Sequence, residues 1–176
     1  MADIRRKRIR LPAEHYLGRQ YHFVTLCTEG RRPLFTSPPL VQELLEVLRR
    51  QAALHASGIY AYCFMPDHLH LELAGLEENA SLTRIMRSYK GNAAVAARRR
   101  GIRSLWQKAY YDHIVRANEG IDAVAFYIFN NPVRAGLVRE ITEWPHSGSF
   151  MFDWKRLTTP AKPFIPPWKS KPTEAL

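Results

Sequence analysis

The chain has 176 residues, 46% of them hydrophobic, and its formal net charge is +10. This length and composition predict one globular domain with a sizeable core and argue against a disordered chain. The excess positive charge favours a polyanionic partner, most simply nucleic acid. There is no apolar run of about 18 residues, no signal-peptide pattern and no basic amphipathic helix with a wide apolar face. The sequence therefore predicts a cytoplasmic protein, associated with the nucleoid, that has no membrane partner.

The two cysteines, Cys27 and Cys63, lie in separate strand-like runs and form no C-x-x-C motif. We expect free thiols in a reducing compartment. A disulfide between neighbouring strands is the alternative reading.

The chain begins with a basic arm, residues 1–12, which is either a solvated tail or a phosphate-binding segment. Residues 21–28 are aromatic and β-branched, which predicts a strand. Leu40 to Ala53 has apolar residues at helical spacing, and Ser57-Gly58 ends that helix. Two further strands, 59–65 and 68–73, are separated by turn-forming residues, so we expect them to pair as a hairpin.

Ser81 is a candidate N-cap for a long helix that ends before Gly101. A strand-like stretch follows around residues 113–115, and Gly120 to Asn131 predicts a last helix that Pro132 stops. The order β-α-β-β-α-β-α indicates an α+β sandwich with helices on one face of an antiparallel sheet. Residues 1–155 are expected to form the single domain, and the proline-rich residues 156–176 an extended tail.

Residues 64–73 carry the most informative pattern in the chain, FMPDHLHLEL. Side chains alternate across a strand, so His68, His70 and Glu72 share one face. Leu69, Leu71 and Leu73 then point to the core on the other face. Two imidazoles at one point of a strand predict a cation site, although a half-exposed surface pair gives the same spacing.

Tyr127 and Asn131 lie four residues apart on the last predicted helix, so they share a face. Tyr127 falls off the centre of that helix's apolar stripe, whereas Tyr89 falls inside the stripe of its own helix. A phenol becomes an effective nucleophile when a nearby cation polarises the phosphate that it attacks. The Asn131 carbonyl oxygen suits magnesium or manganese. The alternatives are an ordinary helix aromatic and an asparagine at a helix C-terminus.

Arg84, Arg87 and Lys90 lie three residues apart on a flank of the long helix and favour a basic track for DNA. Arg98 to Arg100 end the same helix, where cations also suit the helix dipole.

The residues 64–70 resemble the His-hydrophobic-His (HUH) motif of single-tyrosine transposases. Residues 127–138, YIFNNPVRAGLV, resemble the tyrosine helix and following turn of their stand-alone relatives, the REP-associated tyrosine transposases. Two shorter pieces, residues 105–113 and 143–147, also resemble segments of these transposases and occur in the same order along the chain. Together these motifs run from about residue 20 to 150. One departure is His22, which stands where relatives show an aromatic or apolar residue.

This resemblance implies a ferredoxin-like α/β sandwich whose central antiparallel sheet carries the HUH motif. It implies that Tyr127 is the nucleophile and that His68, His70 and Asn131 hold a divalent cation, Mg²⁺ or Mn²⁺. The family cleaves single-stranded DNA near a hairpin through a 5′-phosphotyrosine link that frees a 3′-OH, and rejoins it by the reverse reaction. The expected partner is single-stranded or hairpin DNA, and both a monomer and a homodimer fit the sequence. Such a substrate needs basic side chains along its path and aromatic rings for stacking. The basic candidates are Arg5, Arg6, Arg8, Arg84, Arg87 and Lys90, and the aromatic candidates are Trp106, Tyr110 and Tyr111.

Three alternatives stay open from the sequence. A nicking initiator or relaxase uses the same motif, a hairpin-binding protein keeps the fold without cleavage, and a metal-dependent hydrolase does not need Tyr127.

Overall fold

The computed structural model describes residues 13–166, which form a five-stranded antiparallel sheet with α-helices packed on it. The strands are β1 (Tyr21–Cys27), β2 (Ser57–Met65), β3 (His68–Gly75), β4 (Tyr111–Ile114) and β5 (Ser147–Gly148). The helices are α1 (Pro38–Leu54), α2 (Leu82–Arg99), α3 (Ile121–Phe129) and α4 (Asn131–Arg134). The predicted basic arm, with Arg5, Arg6 and Arg8, lies outside the described residues.

The sheet has the strand order β4-β1-β3-β2-β5, and every neighbouring pair is antiparallel. The chain order β-α-β-β-α-β together with the central order 4-1-3-2 is the ferredoxin-like arrangement. The predicted fold class is therefore confirmed. Strand β3 lies at the centre of the sheet, hydrogen-bonded to β1 on one side and to β2 on the other.

Two separate apolar cores cover the two faces of this sheet. Helices α1 and α2 pack on one face, over Leu69, Leu71 and Leu73 of β3. Helix α3 packs on the opposite face, over Phe23 and Cys63. The expectation that the helices share one face is wrong. The strands are apolar on both sides, so each side needs a cover to remove it from water.

The β2-β3 hairpin is formed as predicted, with Met65 opposite His68 across a turn of Pro66 and Asp67. The turn is fixed from outside the hairpin. The backbone N–H and the hydroxyl of Thr28 both donate to the Asp67 carbonyl, at 3.0 Å each, and the Phe35 N–H donates to the Pro66 carbonyl at 3.0 Å. The start of β3 is thus held in a defined position.

The predicted N-cap of α2 is also present, because the Ser81 hydroxyl accepts from the Arg84 N–H at 3.4 Å. Cys27 and Cys63 are free thiols, on strands that β3 separates. None of the helices within residues 13–166 has the length and apolarity to cross a membrane.

The described part of the proline-rich segment runs back over α3 without forming a helix or strand between residues 157 and 166. Its Phe164 is 6% exposed and belongs to the second core. Before it, Trp154 packs on Phe129 with ring centroids 4.7 Å apart. The segment up to residue 166 therefore contributes to the cover of the α3 face.

Gly75 at the end of β3 is in close contact with the segment before β1. A Cβ on Gly75 would overlap the Gly18 carbonyl oxygen and lie 2.8 Å from the Ala80 Cβ. Gly91 is a matched contrast, since it is exposed within α2 and has nothing within 4 Å of the same position.

We predict that Gly75→Ala destabilises the protein by about 1–3 kcal/mol, the usual cost of overpacking. Gly91→Ala should instead raise the free energy of unfolding by about 0.5–1 kcal/mol, because alanine loses less conformational entropy than glycine when the helix forms. Urea unfolding of the two variants measures both values. An equal change in the free energy of unfolding for the two variants would show that the space around Gly75 is not tightly packed.

Glu72 lies under α3 with 0% exposure, and neither of its carboxylate oxygens has a hydrogen-bond partner among the described residues. Burial, and to a lesser extent the Asp122 carboxylate, raises the pKa of Glu72 from 4.5 to about 9. The folded protein therefore keeps a proton on Glu72 at neutral pH, whereas the unfolded chain releases it.

This difference makes folding less favourable as the pH rises from 4.5 towards 9, because only the unfolded state loses the proton in that window. Glu72→Gln should remove this dependence. We expect its melting temperature to rise relative to the wild type with increasing pH across the window. The exposed Glu78, changed to glutamine, is the control and should follow the wild type. A difference in melting temperature between Glu72→Gln and the wild type that stays constant with pH would contradict the buried, protonated state of Glu72.

Candidate active site

A pocket of about 470 Å³ lies at the end of the sheet where β1 and β3 meet α3 and α4. Both HUH histidines, Tyr127 and Asn131 line it, so the structure brings together the four residues that the resemblance implies. The other lining residues are Thr25, Cys27, Arg31 and Tyr111.

His68 is oriented by the residue before it. Its Nδ1 lies 2.6 Å from Oδ1 of Asp67. An ionised carboxylate only accepts hydrogen bonds, so this contact places the ring proton of His68 on Nδ1 and leaves the lone pair on Nε2. Burial lowers the pKa of His68, against the opposing effect of Asp67, and thus favours the neutral ring that a metal ligand requires.

His70 has a comparable partner in the neighbouring strand. Its Nδ1 lies 2.9 Å from the Thr25 hydroxyl, and Thr25 is directly opposite His70 in the β1-β3 register. A hydroxyl both donates and accepts, so Thr25 is compatible with either tautomer of His70. When Thr25 accepts, the lone pair of His70 is on Nε2.

The two Nε2 atoms face each other at a separation of 3.0 Å. Two ligand atoms bound at right angles to one ion, each about 2.1 Å from it, are also about 3.0 Å apart. Two lone pairs at this distance repel each other unless a proton or a cation lies between them. The donor atoms therefore fit a divalent cation.

No group of three His, Cys, Asp or Glu side chains suitable for a metal is present within residues 13–166. Asn131 is the amide that lines the pocket beside the two rings.

The orientation of Asn131 follows from a break in the helix. Pro132 has no N–H, so the carbonyl of Ile128 lacks its usual helical donor. The Asn131 amide replaces it, donating from Nδ2 to the Tyr127 carbonyl at 2.8 Å and to the Ile128 carbonyl at 3.3 Å. These bonds occupy the nitrogen, so Oδ1 is the atom of this amide that could bind a cation. The prediction that Pro132 stops this helix is wrong. Helix α3 already ends at Phe129, and Pro132 lies within the following one-turn helix α4.

Tyr127 is half-buried at the junction of the pocket and the second core. Its ring packs edge-on against Phe23, with centroids 6.1 Å apart, and the Arg134 guanidinium lies 4.8 Å from its centre. Tyr89, by contrast, is fully buried in the first core, where burial raises its pKa. The structure therefore agrees with the sequence contrast: Tyr127 borders the pocket and Tyr89 does not.

Sequence reasoning missed Arg31, Asp67 and Thr25 as parts of this site. Arg31 links the end of β1 to the β2-β3 turn. Its Nε lies 3.3 Å from Oδ2 of Asp67 in the turn, and its Nη1 lies 3.0 Å from Sγ of Cys27 at the end of β1. Its backbone has φ of 56°, in the left-handed region that non-glycine residues avoid. Asp67 could have been found from its position directly before His68. Thr25 required the strand register, which a single sequence does not contain.

The basic candidates on α2 are on the opposite side of the sheet from the pocket. Arg84 and Arg87 are exposed there. Lys90 has a different environment, because its ammonium donates to the carbonyls of Gln107 and Lys108 at 2.8 and 2.9 Å. Lys90 thus holds the loop before β4.

The three aromatic stacking candidates differ in environment. Trp106 is 8% exposed and belongs to the first core, and Tyr110 has the Lys90 ammonium 5.8 Å from its ring centre. Only Tyr111 lines the pocket, at 40% exposure. His22 is buried on the α1-α2 side next to Tyr16, and burial lowers its pKa to about 4, so it fills an apolar position as a neutral ring.

Comparison with known proteins gives consistent matches. A REP-associated tyrosine transposase of Escherichia coli K12 is 26% identical over 104 residues, which cover 54% of this chain and 61% of that protein. The match thus spans less than two thirds of the relative's length. A Haemophilus influenzae protein whose name also refers to REP-associated tyrosine transposases is 26% identical over 146 residues, or 76% of this chain and 81% of that protein.

A solved REP-associated tyrosine transposase bound to a REP hairpin superposes with a TM-score of 0.66 at 23% identity. The superposition covers 84% of this chain and 82% of that chain and shows that the fold is shared. The family model described as "Transposase IS200 like" matches residues 16–131, more than half of the chain and all of the pocket residues. The resemblance read from the motifs is therefore confirmed, and the chain belongs to the IS200-like transposase family.

Proposed function

We propose that this protein cleaves and rejoins single-stranded DNA beside a hairpin, through a covalent link to Tyr127 and with a divalent cation. The observation that carries the proposal is the shared pocket. His68, His70, Asn131 and Tyr127 all line it within one chain, which supports a site built from a single chain.

The proposed reaction is a transesterification in both directions. The Tyr127 oxygen attacks the scissile phosphorus, the bond from phosphorus to the 3′ oxygen breaks, and the phosphate remains on Tyr127 through its 5′ side. The phenol proton is released to solvent and the departing 3′ oxygen takes up a proton. Attack by a 3′-OH on the phosphotyrosine reverses these changes, so rejoining needs no external energy source.

His68, His70 and Asn131 would hold the cation, either Mg²⁺ or Mn²⁺. A cation bound there offsets the negative charge of the phosphoryl oxygens as the phosphorus is attacked. Asp67 and Thr25 position the two imidazoles through their Nδ1 atoms, as outer partners of metal-binding histidines generally do.

Hairpin DNA is the proposed substrate. The solved transposase with the shared fold was obtained with a REP hairpin, and the net charge of +10 on this chain suits a polyanion. Arg84 and Arg87 on α2, together with Arg5, Arg6 and Arg8 of the arm, are proposed to contact phosphates. Because Arg84 and Arg87 face away from the pocket, they would hold DNA at a distance from the cleaved bond. Lys90 is proposed for the same DNA path, and its hydrogen bonds to the loop carbonyls give it an additional structural role.

The half-buried Tyr127 at the pocket wall favours covalent cleavage over the alternatives. A hydrolase without a covalent step and a protein that only binds hairpins have no use for a phenol beside two paired imidazoles. A relaxase-like nicking activity would use the same four residues and differs only in its substrate.

We predict that Tyr127→Phe abolishes formation of a covalent adduct with labelled hairpin DNA in Mn²⁺ or Mg²⁺, because it removes the attacking oxygen. The adduct is measured as a labelled protein band after denaturation. Tyr89→Phe is the matched control and should form the adduct at the wild-type level. EDTA should stop cleavage but leave most binding intact, because Lys and Arg contacts with phosphate do not need the cation.

Other outcomes would revise this assignment. An adduct that persists in Tyr127→Phe and disappears in Tyr111→Phe would move the nucleophile to the other tyrosine of the pocket. Cleavage without any adduct would support the hydrolase. Cleavage that EDTA leaves unchanged would remove the role given to the histidines.

We predict that Asp67→Ala weakens Mn²⁺ binding by about 10- to 100-fold, since it removes the group that orients His68. Asp67→Asn should lose less, because its amide oxygen can still accept from Nδ1. Calorimetric titration with Mn²⁺ in the absence of DNA measures the affinity directly. Asp153→Asn, which removes an exposed ion pair with Arg156, should bind like the wild type. Wild-type affinity in Asp67→Ala would contradict the positioning role.

A further inference from the structure

A second cavity of about 300 Å³ adjoins the active-site pocket, and Tyr127 lines both. It lies between α3-α4 and the proline-rich segment that runs back over them. Its lining includes Ala123, Asn130, Arg134, Pro163 and Phe164. None of them belongs to the set proposed for the chemical step.

Flat rings form the walls of this cavity. The Phe164 ring lies nearly perpendicular to the Tyr127 ring, with centroids 5.4 Å apart and an interplanar angle of 81°. Phe164 also packs against Phe23, at 6.0 Å, which fixes it in the second core. The volume is at the lower end of the range for small-molecule sites, which suits one planar ring system and excludes a helix or a folded peptide.

The polar groups at the cavity are few and suit a nucleotide. The Asn130 amide offers both a donor and an acceptor, as the edge of a base requires. The Arg134 side chain is exposed and carries a positive charge against the Tyr127 ring, where it can contact a phosphate. An apolar cleft with an amide and a guanidinium matches the way in which proteins bind extruded or unpaired bases.

We infer that this cavity binds one unpaired nucleobase of the DNA strand, next to the phosphate that Tyr127 attacks. The inference rests on the proposed function. Because Tyr127 separates the two cavities, a strand that presents a phosphate to the phenol brings an adjacent base to the second cavity. Binding of that base between α3 and the segment that carries Phe164 would fix the position of the phosphate and so select the cleaved bond.

The test is an abasic scan. Hairpin oligonucleotides with single-stranded flanks carry a tetrahydrofuran abasic site at each flank position in turn, and the affinity and adduct yield of the full chain are measured. We expect one position beside the cleaved phosphate to lose about tenfold in affinity, as removal of one stacked base does. A flat series with normal adduct formation would overturn the inference and leave the proposed function intact.

Variants of the cavity residues are then combined with the abasic oligonucleotides, so that loss of the base and loss of its cavity can be compared. Ala123→Leu narrows the cavity and Phe164→Leu removes its flat wall while keeping apolar bulk, so both should weaken binding of the intact oligonucleotide. Both should also be insensitive to the abasic site at that one position. Phe150→Leu, a partly buried phenylalanine on the opposite side of the sheet, is the matched control and should keep the wild-type sensitivity. Melting curves confirm that each variant is folded.

Full sensitivity to the abasic site in folded Ala123→Leu and Phe164→Leu would place the base elsewhere and overturn the inference. Absence of adduct with every oligonucleotide and every variant would instead count against the proposed function.

Discussion

The position of the two imidazoles depends on strand β3 being hydrogen-bonded on both sides. Between β1 and β2 it has no freedom to shift register, so His68 and His70 stay on the α3 face and the leucines on the other. The Nδ1 atom of each ring contacts a fixed partner, Asp67 in the turn and Thr25 on β1. The 3.0 Å separation of the two Nε2 atoms is therefore a consequence of the sheet, and does not rely on a mobile loop.

The second constraint is that both faces of the sheet are apolar. The face opposite α1 and α2 requires a cover, and α3 is that cover, so the same burial that completes the second core brings Tyr127 to the histidines. Pro132 then removes one helical hydrogen bond, and Asn131 supplies the missing donor. A local defect in the helix thus fixes the direction of the amide oxygen.

The order of strands and helices along the chain, the hairpin and the placing of His68 and His70 on one face could be predicted, because alternation and turn residues are local signals. The ferredoxin-like arrangement of the sheet was implied only by the resemblance of the motifs. The covering of both faces could not be predicted, since α3 reads as a short apolar helix whether it lies on one side of the sheet or the other. Thr25 and Arg31 were missed for a related reason: their contacts join residues far apart in the chain. Glu72 was correctly placed on the histidine face, but its complete burial under α3 is a property of the packing.

The charge of the proposed site follows from its ligand types. Two imidazoles and one amide are neutral, so they would leave the charge of a bound cation undiminished. The carboxylate nearest to them, Asp67, is paired with Arg31, and Glu72 on the same strand face keeps its proton at neutral pH. These two carboxylates next to the histidines on the chain are thus neutralised, one by an ion pair and the other by a proton. A cation held by neutral ligands would keep its full charge for an anionic ligand, whereas a ring of carboxylates would hold the cation more firmly but repel an anion.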